Sequence, residues 1–115
     1  MRMNIRDVAK VIRSKNSGPF ELTFDIIFKD RAWFETFRAR HIINPELICR
    51  LFRIKPEDIL GIIPFAPAQA IKITIRRWIP SGALGETDIY GAQQHAPLLD
   101  IEFEADPAAP DQPRS

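Results

Sequence analysis

The sequence has little cysteine, little net charge and no long apolar run, and each shortage excludes a class of protein. The single cysteine, Cys49, cannot form an internal disulfide, so we expect a reducing, cytoplasmic setting. A metal site on Cys49 would need His41, His95 or carboxylates, which do not stand at zinc-finger spacing, and we therefore assign no metal. The formal net charge of +1 gives no long-range field to attract nucleic acid or an anionic membrane, so neither is an expected partner.

No segment approaches the roughly 20 apolar residues that a membrane helix needs, and no apolar run of signal-peptide type stands near Met1. We expect neither a membrane-spanning protein nor one secreted through a signal peptide. What is present is an ordinary mixture, with 115 residues, 45% hydrophobic and 27% charged. This composition fits one packed α+β domain, which we place at residues 4–104. Residues 105–115 contain no large apolar side chain, and we predict a disordered tail there.

The first half of the chain predicts a strand and two helices after an ambiguous beginning. Residues 5–13 fit an amphipathic helix capped by Asn4, but they also fit a strand, and both alternatives stay open. Residues 20–28 are rich in aromatic and β-branched side chains, which predicts a central strand. Helical periodicity then runs from an N-cap at Asp30 to residue 40, and Asn44-Pro45 starts a second helix.

The second half predicts three strands around one long connection. Residues 59–65 and 70–79 are interpreted as strands, and residues 88–94 as a short helix or a loop. Residues 98–104 alternate again as a closing strand. With the extra N-terminal element, the order approximates the ferredoxin-like βαββαβ arrangement, with helices on one face of an antiparallel sheet. The other face must then be wet or covered by a partner.

The densest group of polar side chains stands in the connection before the closing strand, in the sequence YGAQQHAP. His95 is the best candidate for a general acid or base, and Asp88 is a candidate to orient it. The alternative is that His95 caps a helix or bonds a buried carbonyl, and that Asp88 is a cap. Three further side chains there are predicted to contact a ligand, namely Tyr90, Gln93 and Gln94.

A second polar stretch precedes Gly18, and it combines cations, hydroxyls and an amide that could bind a carboxylate or a phosphate. It is not a P-loop, because the required glycine and lysine spacing is absent, and a solvated turn is the alternative. Its candidate ligand-binding residues are Arg13, Ser14, Lys15, Asn16 and Ser17. His41 follows a predicted helix, where a cation favours the helix dipole, so a structural role is expected. The core is predicted to contain Phe20, Phe24, Phe28, Trp33, Phe34, Phe37 and Phe52.

Three segments of the chain carry a family resemblance: AKVIRSKNSGPF from Ala9, AIK from Ala70, and TDIYGAQQHAPLL from Thr87. They resemble a small bacterial family of unknown function, over residues 4 to 104. Members of that family accompany, or are fused to, a larger protein of the acyclic terpene utilization A (AtuA) family, whose C-terminal domain is ferredoxin-like. The resemblance implies a companion protein and a setting in acid or acyl-CoA catabolism, and it implies no reaction. This chain has Ala66 where the family tends to carry an acidic residue before the proline.

Two hypotheses follow from these observations. In the first, the chain is the small subunit of a two-component catabolic enzyme with an AtuA-like large protein. It would contribute its polar segments to a shared site for an organic acid or an acyl-CoA. In the second, the chain is a free-standing ligand-binding or regulatory module that forms a homodimer through the same sheet. The sequence names no cofactor and no reaction for either hypothesis.

Overall fold

The structure is a computed structural model that describes residues 1–18, 20–76 and 95–105, and it belongs to the α+β class. The described residues form the following elements: β1 Arg2–Asn4, β2 Ala9–Gly18, β3 Glu21–Phe28, α1 Arg31–Arg40, α2 Pro45–Phe52, β4 Ile59–Phe65, β5 Ala70–Arg76 and β6 Glu102–Glu104. Short 3₁₀ turns lie at Ile5–Asp7, Pro56–Asp58, Ala66–Ala68 and Ala96–Asp100.

The strands form two antiparallel sheets. The larger sheet has the order β2-β3-β5-β4, and the smaller one pairs β1 with β6. The predicted ferredoxin-like order is not confirmed, because the last strand pairs with the first in a separate sheet. In addition, all strand pairings within the described residues are antiparallel, whereas a βαβ unit joins parallel strands.

The N-terminal segment resolves the alternative that the sequence left open. Asn4 is an N-cap, but it caps a single 3₁₀ turn: its side-chain oxygen accepts from the amide of Arg6 at 2.7 Å, and Asp7 accepts from the amide of Asn4 at 3.1 Å. From Ala9 onward the chain is strand β2, so the helical alternative is wrong there. Of the nine residues with ambiguous period, only residues 9–13 belong to the strand that pairs with β3.

The two helices begin where the sequence places them, and they cover one face of the larger sheet. Asp30 accepts from the amide of Trp33 at 3.0 Å, and Asn44 accepts from that of Leu47 at 2.9 Å. Ring contacts tie the helices to β3, since Phe52 lies 4.7 Å from Phe24 and Phe37 lies 4.7 Å from Phe28, between centroids. Alternate residues of β5 are buried, as are most predicted core aromatics: Ile71, Ile73, Ile75, Phe24, Phe28, Phe34 and Phe37.

One predicted core aromatic is wrongly assigned. Phe20 is 51% exposed, because it lies in the connection between β2 and β3, outside the part of β3 that alternates between the two faces. Trp33 and Phe52 are only partly buried, at the border of the core.

The end of the described chain is more irregular than a single closing strand. Residues Ala96–Asp100 form a 3₁₀ turn, and only Glu102–Glu104 pair, with β1. Ala105, where we predicted the tail to begin, is buried and donates its amide to the carbonyl of Met1 at 2.7 Å. The rest of the predicted tail, and the helix or loop predicted at 88–94, lie outside the described residues. Within the described part of the chain, no helix is long and apolar enough to cross a membrane.

Candidate functional site

The polar connection that the sequence singles out is only partly within the described structure. Asp88, Tyr90, Gln93 and Gln94 lie outside it, so the pairing of Asp88 with His95 and the ligand contacts of the other three stay predictions. His95 itself is half-buried and directly precedes the turn Ala96–Asp100, where its carbonyl accepts from the amide of Leu98 at 2.9 Å. The backbone of His95 thus starts this turn, and a catalytic role for its imidazole stays a prediction.

The second polar stretch lies within strand β2 and is not a turn. Its side chains therefore alternate between the two faces of the sheet. Arg13 and Lys15 lie on the face opposite the helices, whereas Ser14 and Asn16 lie on the helix-covered face, where Ser14 is buried. Ser17 is exposed at an irregularity near the end of the strand. The predicted turn is therefore wrong, because the strand separates these five side chains onto two faces; a ligand contact of each side chain stays a prediction.

The face of the larger sheet opposite the helices is covered by no element of the described structure, and we call it the open face. Its members follow from strand alternation and from the pairing register. They are Val11, Arg13, Lys15, Glu21, Thr23, Asp25, Ile27, Ile63, Phe65, Ala70, Lys72, Thr74 and Arg76.

A buried carboxylate lies at the centre of the open face. Asp25 is 4% exposed, and its register places it between Arg13 on β2 and Lys72 on β5. Oδ2 of Asp25 accepts from Nε of Arg13 at 3.1 Å. Oδ1 has no hydrogen-bond partner among the described residues, and Nζ of Lys72 lies 3.8 Å from it. The carboxylate is thus firmly paired on one side and loosely on the other, in a row of charges that crosses three strands.

The surroundings of this row combine cations with exposed apolar side chains. On the neighbouring edge strand, β4, Ile63 is 61% exposed and Phe65 is 45% exposed. Four cations of the open face are exposed, against a single exposed carboxylate, that of Glu21. The cations are Arg13, Lys15, Lys72 and Arg76. The open face is therefore a cationic surface with an apolar border along β4.

A second candidate site lies on the helix-covered side, between the end of α1 and the strands β4 and β5. It is a pocket of about 260 Å³. Its apolar walls come from both layers, and two nitrogen-bearing side chains, those of Arg38 and His41, also line it. The sequence analysis did not predict this pocket, because His41 was expected to have a structural role at the helix end. The available signal was the three-residue spacing of Arg38 and His41 at the end of a helix, directly before the apolar Ile42 and Ile43.

No group of three or more His, Cys, Asp or Glu side chains within the described ranges is arranged to hold a metal ion.

The comparisons with known proteins agree with part of the resemblance. A search of curated proteins finds no match, and a search of solved structures finds none either. The predicted resemblance to a family of unknown function is confirmed, whereas no comparison links the chain to the AtuA family. The match covers residues 5–102, which include the open face, the pocket and the polar connection. The chain belongs to the family described as "Domain of unknown function (DUF4387)".

Proposed function

We propose that this protein is the small subunit of a two-component catabolic enzyme, and that it docks through its open face on a larger AtuA-like protein. The polar connection around His95 then contributes to a shared site for an organic acid or an acyl-CoA. The observation that carries the proposal is the open face itself, where Ile63 and Phe65 are exposed beside a row of charges.

The composition of the open face supports a protein as its partner. Interface cores are enriched in aromatic side chains and arginine, which bury much area and form several hydrogen bonds, and Phe65 and Arg13 are of these types. A sheet face that stays wet needs neither an exposed isoleucine nor an exposed phenylalanine. Desolvation by a partner would also strengthen the contact between Lys72 and the unpaired oxygen of Asp25.

The charge of the open face favours a different protein over a second copy. In a two-fold symmetric dimer the same patch lies on both sides of the interface. Each copy would bring four exposed cations against two carboxylates, the exposed one of Glu21 and the buried one of Asp25, so two surfaces of net positive charge would meet. Like charges across an interface weaken association, so an acidic surface on a larger partner fits better.

The docking test combines the full chain with a large AtuA-like protein. We expect co-elution in size-exclusion chromatography at micromolar concentration and a measurable dissociation constant by titration. Phe65→Ser should weaken binding about tenfold or more, because an aromatic side chain that an interface buries contributes more than about 1 kcal/mol. The matched control is Phe20→Ser, which removes an equally exposed phenylalanine, 51% against 45%, from the connection between β2 and β3.

Three results would contradict the proposal. Separate elution of the two proteins, with full activity in the large protein alone, would exclude a two-component enzyme. Equal effects of Phe65→Ser and Phe20→Ser would exclude the open face as the docking surface. Elution of the small chain alone as a dimer that Phe65→Ser dissociates would instead establish the homodimeric module.

The shared site is tested separately in the assembled complex. His95→Ala should lower kcat by about 100-fold or more if His95 is a general acid or base, while the complex still forms. A complex that retains its activity per assembled molecule while its melting temperature falls would show that His95 is structural. Docking and catalysis can thus be judged independently.

A further inference from the structure

The pocket next to α1 has the walls of a ligand site and a cationic rim. Five of its lining side chains are apolar, and they are Phe37, Ile43, Ile62, Pro64 and Ile71. Ligand pockets are mainly apolar, with a few polar groups that fix orientation. The rim is accessible, because Arg38, His41 and Pro64 are all exposed.

The two nitrogen-bearing side chains of the rim, Arg38 and His41, have donors available for a ligand. Glu35 holds the guanidinium of Arg38 through one oxygen, Oε1, at 2.8 Å from Nε and 2.7 Å from Nη2. A guanidinium has five N–H donors in a planar fork, so the Nη1 side of Arg38 stays available to a second acceptor. The His41 side chain is exposed, and its imidazole forms no hydrogen bond or ion pair with the described residues.

The backbone around His41 fixes the rim in place. His41 ends α1 in the left-handed region, with φ of 51°, and its amide donates to the carbonyl of Arg38 at 3.3 Å. Its own carbonyl accepts from the side-chain amide of Asn44 at 2.9 Å. Arg38 and His41 are therefore presented by a helix end that is tied to the start of α2, which is a rigid base for a binding site.

We propose that this pocket binds a small monocarboxylate, whose charged group contacts Arg38 and His41 and whose apolar body lies between α1 and β4. A volume of about 260 Å³ corresponds to about nine non-hydrogen atoms, at about 30 Å³ for each water-sized unit. That size fits a short-chain or branched-chain acid. A coenzyme A ester is far too large to enter, and only its acyl group would fit.

This inference does not depend on the docking proposal, because the pocket and the open face lie on opposite sides of the larger sheet. The competing explanation is that Arg38 and His41 only compensate the negative end of the α1 dipole. Arg40 has the same position relative to the dipole but does not line the pocket. Arg40 therefore provides the control that separates the two explanations.

The experiment titrates the isolated full chain with butanoate, 3-methylbutanoate and hexanoate, and with the matching uncharged amides, up to tens of millimolar. Binding is followed by amide chemical shifts in NMR spectra and by the melting temperature. We expect the carboxylates to shift the backbone amide signals of residues 37–43, 62, 63 and 71, and the uncharged carboxamide ligands to bind at least about tenfold more weakly. Arg38→Gln should weaken carboxylate binding about tenfold, because it removes a charge-assisted hydrogen bond, whereas Arg40→Gln should leave it unchanged.

Two further variants sharpen the test. Glu35→Gln removes the carboxylate that competes for Arg38, so it should tighten binding of the ligand by several-fold. Ile62→Phe should block the pocket and abolish the shifts, and a circular dichroism spectrum identifies the variant if it fails to fold. Arg38 is an exposed residue whose substitution leaves the core intact, so the proposal stays testable without Ile62→Phe.

Several outcomes would overturn the inference. Absence of shifts at the pocket residues for every acid would exclude a ligand site there. Equal binding of acids and amides would show an apolar pocket without an anion site. Equal effects of Arg38→Gln and Arg40→Gln would show that the cations act on the ligand only through the general charge of the helix end.

Discussion

The two faces of the larger sheet are built from the same strands but filled in opposite ways. On the helix-covered face, Phe24, Ile26 and Ile73 are completely buried. On the open face, the neighbouring positions of the same strands carry Asp25 and Lys72, with the exposed Ile63 next to them on β4. The residues that follow one another along β3 thus serve two different purposes, the first to hold the domain together and the second to present a surface.

Burial alone therefore does not distinguish the residues that stabilise the domain from those that belong to a candidate site. Asp25 is as buried as the core residues, but it is a charged group on the face that no described element covers. A buried carboxylate requires a partner, since desolvation of an unpaired charge costs several kcal/mol. Arg13 and Lys72 supply that partner and are themselves 62% and 48% exposed. The exposed cations of Arg13 and Lys72 therefore balance a carboxylate that is buried within the open face.

The largest expected effect is the loss of stability when a core side chain is removed from the helix-covered face. Phe28→Ala should lower the free energy of unfolding by about 3–5 kcal/mol, because it removes a fully buried ring and leaves a cavity. Phe28 is 1% exposed and contacts the rings of Phe34 and Phe37. Urea denaturation followed by circular dichroism measures the change. Phe20→Ala is the control, and it should change stability by less than about 0.5 kcal/mol because Phe20 is half exposed.

A loss for Phe28→Ala as small as that for Phe20→Ala would mean that the aromatic cluster does not form the core of the folded chain.

The second effect concerns the buried charge. Arg13→Gln should lower the free energy of unfolding by about 1–3 kcal/mol, because the carboxylate of Asp25 then loses its hydrogen bond while it stays buried. Arg2→Gln is the matched control, since Arg2 also bonds a carboxylate through Nε at 3.1 Å, but that carboxylate, on Glu102, is 52% exposed. An exposed pair contributes about 0–1 kcal/mol, so Arg2→Gln should have little effect.

The double variant Arg13→Gln with Asp25→Asn completes this test. It removes the charge together with its partner, so we expect it to regain part of the stability that Arg13→Gln loses. If the double variant loses at least as much stability as the two single variants together, then the carboxylate of Asp25 is required for a reason other than its pair with Arg13.

Much of the secondary structure could be predicted because its signals are local. Asp30 and Asn44 cap the helices through their own side chains, and the alternation along β5 shows which residues face the core. The strand order could not be predicted in the same way. It depends on which strands meet across long stretches of chain, such as β1 with β6, whose pairing no local pattern reports.

The candidate sites were harder to predict for the same reason. The sequence places Arg13 in a polar run, but its partner, Asp25, lies in a different strand that is rich in aromatic and β-branched residues, and only the pairing register brings them together. The pocket depends on the distance between α1 and β4, which no motif encodes. By contrast, helices on only one face of the sheet were expected, because the predicted ferredoxin-like arrangement has that feature, and within the described residues both helices do lie on one face.

The smallest expected effect on stability is that of substituting an exposed residue of the open face. Ile63→Thr keeps a β-branched side chain on an edge strand and removes apolar surface from a residue that is 61% exposed. We expect the free energy of unfolding of the isolated chain to change by less than about 0.5 kcal/mol, because an exposed side chain contributes little to folding. Ile73→Thr, at a fully buried position of β5, provides the contrast and should cost several-fold more. Urea denaturation of both variants gives the comparison directly. If Ile63→Thr costs as much as Ile73→Thr, then Ile63 is packed in the isolated chain, and the open face is not available to a partner.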